Sequence, residues 1–145
     1  QTLYASGMAG DRFAVRNSGA DAVIEGCGDN GCEYMTGGSV VILGAVGNNF
    51  GAGMTGGMAF AYDKEGTLPL RINLDDVFYQ QQMTPYWEGV LYQKIKYYCN
   101  ETNSQHAKEM LDNWERDKYL FWQIIPKEMV NKFDEPVLVE TTKTA

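Results

Sequence analysis

The chain is poor in the residues that ordinarily carry chemistry. It has one histidine, His106, and three cysteines, Cys27, Cys32 and Cys99. An odd cysteine count without framework spacing does not read as a disulfide scaffold. Cys27 and Cys32 form the closest pair, but no histidine or third cysteine stands near them to complete a tetrahedral zinc site. They are read as small residues within Gly-rich segments. His106 lies in a polar, helical context and is expected on a helix surface. No cluster of basic residues is present. Lys and Arg number 12 against 19 Asp and Glu, for a net charge of −7. Neutralising a phosphate backbone takes clustered cations, so no nucleic-acid partner is expected. The longest apolar run is a few residues, too short to cross a bilayer, which argues against a membrane partner. Gln1 does not open a basic region followed by a long apolar core, so no signal peptide is expected and the location is read as cytoplasmic. Neither a Ser/His/Asp order nor a paired acid–base constellation is found. No catalytic, cofactor-binding or metal residue is therefore assigned.

What is present is glycine, 16 residues of it in a chain of 145, concentrated in a repeat. Three segments align: Gly10 to Gly26, Gly28 to Gly44, and Gly47 to Asp63. Each opens with Gly and a polar pair. Each carries a Ser-Gly or Thr-Gly step, at Ser18-Gly19, Thr36-Gly37 and Thr55-Gly56. An apolar stretch follows in every case: Ala22 to Ile24, Val40 to Leu43, and Met58 to Ala61. Gly7, Gly26, Gly44 and Asp63 mark successive coil ends, spaced 19, 18 and 19 residues. Such a period signals stacked units that bury their apolar faces only against one another. The apolar runs are too short and too Gly-interrupted for helices. Gly supplies the positive φ that sharp corners need, and Asn17, Asn30, Asn48 and Asn49 suit similar corners. A parallel β-helix follows, and its ends require caps because open coil ends expose unpaired backbone. Gln1 falls inside an unfinished coil, so the chain is expected to be cut from something longer.

Residues Gly51 to Gly56 spell G-x-G-x-x-G. That string binds a pyrophosphate when a strand precedes it and a helix follows. Here Gly57 to Tyr62 reads as a strand, and the sister repeat carries the same Met-Thr-Gly-Gly without the first glycines, so a coil corner is the simpler reading.

From Lys64 the composition changes. Lys64 to Thr67 reads as a turn, and Leu68 to Asn73 as a short extended edge strand, where Pro69 is tolerated. Pro85 opens a helix whose stripe is Trp87, Leu91, Ile95 and Tyr98, with Val90 and Cys99 beside it. Asn100 to Asn103 breaks it. Ser104 as N-cap, or Thr102 with Gln105 as a capping box, starts a second helix lined by Ala107, Met110, Leu111 and Trp114. A third helical segment is predicted over Asp117 to Trp122, ended by Pro126. The rings Trp87, Tyr92, Tyr97, Tyr98, Trp114, Tyr119, Phe121 and Trp122 are read as core or docking surface. Glu109, Asp112, Glu115 and Asp117 are read as a solvated face, with Asp112, Glu115 and Arg116 spaced for weak surface pairs. Thr141 to Ala145 is expected to be disordered. The organisation predicted is coils over residues 1–75 and a helical cap over 76–145, in one structural domain.

The blocks Gly10 to Gly26, Gly31 to Gly38 and Asn49 to Gly57, together with Ala107 to Trp114 and Phe121 to Glu128, resemble the C-terminal GXGXG domain of the glutamate synthase large subunit. The resemblance covers nearly the whole chain. A related coil family occurs in a formylmethanofuran dehydrogenase subunit, but the helical tail favours glutamate synthase. The resemblance implies a right-handed parallel β-helix followed by a small α-helical segment, mostly β overall. It implies a parent enzyme that makes glutamate from glutamine and 2-oxoglutarate. In that enzyme an amidotransferase domain releases ammonia, and a synthase domain carries FMN and an iron–sulfur cluster. Electrons come from a reduced nicotinamide such as NADPH, through a small subunit, or from ferredoxin. That chemistry lies in other domains, so this fragment is expected to hold no cofactor and to brace the amidotransferase and synthase domains. The expected partners are the other domains of the large subunit, the small subunit, and a second copy through the open coil end. Two alternatives stand beside it: an independent β-solenoid assembly module, and a nucleotide-binding module using Gly51 to Gly56.

Overall fold

The computed structural model describes residues 2–4, 10, 13–14, 17–72 and 75–138. Gly7, the first expected coil end, and the tail Thr141 to Ala145 lie outside them. The architecture combines one mixed sheet with three helices. Six strands form one mixed sheet: β1 (Thr2–Tyr4), β2 (Ser18–Ile24), β3 (Thr36–Ile42), β4 (Gly56–Tyr62), β5 (Val77–Gln80) and β6 (Phe121–Pro126). They lie in the order β1-β2-β3-β4-β6-β5. The first four pair in parallel, and β6 joins β4 and β5 antiparallel.

The pairing register reproduces the sequence repeat. Leu3 faces Ala22, Ala22 faces Val40, and Val40 faces Ala59, offsets of 19, 18 and 19. The segments returning from one strand to the next pair at similar offsets. Cys27 N–H donates to Ala45 O (3.1 Å), Asn30 N–H to Asn48 O (2.8 Å) and Tyr34 N–H to Ala52 O (2.8 Å). In the other direction Gly47 N–H donates to Gly28 O (3.2 Å) and Thr55 N–H to Met35 O (2.9 Å). Each repeat thus satisfies its backbone on its neighbours around most of its length, as buried polar groups require.

Two glycines show why the Thr-Gly-Gly string recurs. A β-carbon on Gly56 would fall onto the Thr36 carbonyl oxygen of the repeat below. Gly57 follows at φ +82, the left-handed region that favours glycine. Asn30 and Asn49 take φ near +60 at return corners, as expected for Asn. Asn17 works differently: its side-chain oxygen accepts from Gly19 N–H (3.2 Å) and Ala20 N–H (2.9 Å).

The apolar ends of β2, β3 and β4 are buried on both faces, which gives the near-continuous apolar runs typical of covered parallel strands. Ile24, Val40, Ile42, Ala59 and Ala61 point toward the return segments and pack with Met35, Phe50 and Met54. Val23, Val41, Leu43 and Phe60 point the other way, onto the helices. These are α1 (Pro85–Thr102), α2 (Gln105–Asp112) and α3 (Trp114–Asp117). Thr84 caps α1 by accepting from Trp87 N–H (3.4 Å), with Pro85 in the first turn. Asn103, at φ +55, ends it and donates its N–H to Cys99 O (2.8 Å). Ser104 caps α2, its Oγ accepting from Ala107 N–H (3.1 Å).

Three expectations are corrected. Leu68 to Ile72 is not the expected edge strand, whose last residue, Asn73, lies outside the described residues; Leu68–Leu70 is a 3-10 turn with Pro69 in its first turn. Ile72 then bridges Phe50 in parallel, and Phe50 N–H donates to Arg71 O (3.0 Å), so this segment covers the last return loop. The third helix is shorter and earlier than expected, and Phe121 to Trp122 opens β6. Asp117 is buried rather than on a solvated face and accepts from Arg116 Nε (3.0 Å), while Glu115 and Asp112 pair with Lys118 (2.9 Å) and Lys108 (3.1 Å).

Gly56→Ala is expected to destabilise the fold by about 1–3 kcal/mol, because the added carbon overpacks a backbone contact. Gly19→Ala, where a β-carbon meets nothing within 4 Å, is expected to change stability by less than about 0.5 kcal/mol. Urea unfolding of the two variants measures the difference.

Candidate functional site

The Gly51–Gly56 loop was the one sequence feature with a chemical pedigree. A phosphate loop presents free N–H groups to an anion. Here those donors are engaged internally. Gly51 N–H donates to Gly31 O (2.9 Å), Ala52 N–H to Asn49 O (3.3 Å) and Met54 N–H to Gly51 O (3.1 Å). Thr55 and Gly56 both donate to Met35 O, at 2.9 and 3.2 Å. Gly53 N–H donates to the Asp76 carboxylate at 2.9 Å, so a side-chain anion of the protein itself stands at the loop. A strand follows, not a helix.

All three cysteines are free thiols. Cys27 and Cys32 are buried in the sheet-side core. Burial, and then the neighbouring Cys27, push the Cys32 thiol far above its ordinary range, which favours the neutral thiol. Cys99 is half-buried, its Sγ 3.7 Å from Ser104 O. Among the described residues no group of three or more His, Cys, Asp or Glu is placed to hold a metal ion.

The polar side chains that do converge lie along a seam where the repeat ends meet the helices and β6. At the end of the first repeat, Glu25 Oε2 accepts from Tyr98 Oη (2.8 Å) and from Ser104 Oγ (2.6 Å). At the end of the second, His106 Nε2 lies 2.7 Å from Leu43 O. At the end of the third, Tyr62 packs edge-on against the His106 ring, and Asp63 accepts from Thr67 N–H (3.0 Å), Leu68 N–H (2.9 Å) and Trp122 Nε1 (2.9 Å). One row of repeat ends is therefore fastened by α1, α2 and β6 in turn. His106 is exposed on its helix, as the sequence reading has it, but its ring is a tie to the sheet.

The aromatic residues divide. Tyr98, Phe121 and Trp114 are buried, Trp87, Tyr92 and Trp122 are half-buried, and Tyr97 and Tyr119 are exposed. The seam was not legible in the sequence, because Glu25 and its partners are separated by 73 and 79 positions. Burial, then the hydrogen bond to Glu25, push the Tyr98 hydroxyl from its ordinary 10.0 up to about 12. The folded chain therefore holds this proton to higher pH than the unfolded chain does. Its contribution is complete below pH 10 and is lost as the pH climbs to about 12.

Tyr98→Phe is expected to cost about 1.5 kcal/mol near neutral pH, for a hydrogen bond to a charged acceptor. Its denaturant midpoint should fall less steeply than that of the unmodified chain between pH 10 and 12.

The model of the GXGXG motif family matches residues 1–127. The chain is 55% identical over 135 residues to the glutamate synthase [NADPH] large chain of Azospirillum brasilense, covering 93% of this chain and 9% of that one. It is 48% identical over 124 residues to the ferredoxin-dependent glutamate synthase 1, chloroplastic/mitochondrial, of Arabidopsis thaliana, covering 86% of this chain and 8% of that one. The chain thus spans 8–9% of the length of these curated relatives. With a family match over residues 1–127 of 145, the chain belongs to the GXGXG motif family.

Proposed function

We propose that this chain is a non-catalytic structural domain of a glutamate synthase large chain, an enzyme that makes glutamate from glutamine and 2-oxoglutarate. In this reading the repeats form a right-handed parallel β-helix over residues 1–75, capped by residues 76–145 in one structural domain. The domain braces the amidotransferase and FMN synthase domains, which are its partners within the large chain, together with the small subunit. FMN, the iron–sulfur cluster and the electron donor, NADPH or ferredoxin, act elsewhere in the parent, and the domain sits in the cytoplasm. Among the described residues no helix is long and apolar enough to cross a membrane.

The observation that carries the reading is where the polar groups go. The loop donors, the cysteines and the coil-end carboxylates are all directed at the fold itself. Groups engaged in this way hold shape, which supports a structural role. Their engagement also weakens the nucleotide-binding alternative, because a dinucleotide would have to displace Asp76 from Gly53.

The test is a seam variant in the full-length large chain, Tyr98→Phe with His106→Ala. FMN content per folded chain should be unchanged, while more glutamine is hydrolysed for each 2-oxoglutarate consumed. Loss of flavin in step with activity would count against the bracing role. So would stoichiometric flavin absorbance co-purifying with the isolated 145-residue chain.

A further inference from the structure

The helical layer covers its sheet unevenly. α1 turns Leu91, Ile95 and Tyr98 into the core. On its outer side Tyr86, Gly89, Gln93 and Tyr97 recur at three- and four-residue spacing, which places them on one helix face. Tyr86 is 51% exposed and Tyr97 58%, so two large rings stand out of the surface. A mainly apolar hollow of about 530 Å³ flanks this ridge, with Ala22 and Val23 of β2 on its wall. A second hollow, of about 790 Å³, lies on the other flank between α1 and residues 111–116. Gly89 and Gln93 line both hollows.

Gly89 is unexplained by the fold as it stands. A β-carbon there would meet nothing within 4 Å, and its φ is not in the left-handed range. Glycine inside a helix costs about 0.5–1 kcal/mol relative to alanine. Here it makes a saddle joining the two hollows between two protruding tyrosines, and such a saddle admits the close approach of another backbone. Exposed apolar surface of this kind marks an interaction face.

We propose that this ridge is the surface on which another segment of the same large polypeptide packs, an apolar-faced helix crossing α1 at Gly89. The inference rests on the reading that the chain is one domain of a longer glutamate synthase chain. The length of that chain favours an occupant within it: some nine-tenths of the Azospirillum relative lies outside the matched region. A segment tied to the same polypeptide also docks at high effective concentration, so a modest patch suffices.

The experiment uses the full-length large chain with photoreactive p-benzoyl-phenylalanine in place of Tyr97. A control carries it at Lys108, exposed on α2. Irradiation and peptide mass spectrometry should give intrachain crosslinks from position 97 to peptides outside these 145 residues, several-fold above position 108. Adding Gly89→Phe, which fills the saddle, should lower that yield several-fold. Crosslinks only to a second copy or to a separate subunit, or no excess over position 108, overturn the proposal. So does a yield that Gly89→Phe leaves unchanged. The readout does not depend on turnover. If the seam variant leaves glutamine use coupled, the bracing role fails while the crosslinks still report the docking surface.

Discussion

Backbone on one repeat sits so close beneath the next that no side chain fits between them at the strand entrance. This contact, Gly56 over the Thr36 carbonyl, fixes how far apart the repeats stack. From that spacing follow the hydrogen bonds between return segments and the columns of apolar side chains on both faces of the sheet. Because the ends of β2, β3 and β4 are covered on both sides, Ala22 to Ile24, Val40 to Ile42 and Met58 to Ala61 read as apolar runs without alternation. The helices then need only an apolar stripe to lie on, which Leu91, Ile95 and Tyr98 provide.

Carboxylates do the fastening. Glu25 gathers donors from segments distant in sequence, Asp63 joins the nearby Thr67 and Leu68 N–H groups to the distant Trp122, and Asp76 gathers the Gly53 N–H from the preceding repeat. Each replaces donors' lost water with a carboxylate acceptor, a strong hydrogen-bonding arrangement. In an enzyme such groups would be aimed at a substrate. Here Glu25, Asp63 and Asp76 are aimed inward, so these carboxylates support structure.

The sequence made the repeat legible because close approach and positive φ admit few residue types. Thr-Gly-Gly therefore recurs where the backbone demands it, and the offsets read from it match the strand register. Ser104 was legible for a similar reason, since a cap is a local device. The failures came where tertiary context decides. Phe121 to Pro126 lacks alternation because both its faces are covered, and it follows a helical turn with no glycine to announce the change. Val77–Gln80 went unread as a strand, being short and an edge partner of β6. Asp117 sits one residue past Arg116, in a stretch that reads as solvated, and only the fold shows it buried. The Glu25 node joins three separate segments, and no local pattern announces such a meeting.

The register also changes at the entrance of each repeat. Ser18 faces Gly37 but Asp21 faces Ser39, and Thr36 faces Gly56 but Ser39 faces Met58. At each bulge three steps on the earlier strand match two on the later one. The extra residue is taken up there, upstream of the apolar columns, which stay aligned. Repeat length is thereby uncoupled from column alignment: offsets of 19, 18 and 19 leave the apolar columns in register. A stack built this way tolerates drift in period that would scramble a flat parallel sheet.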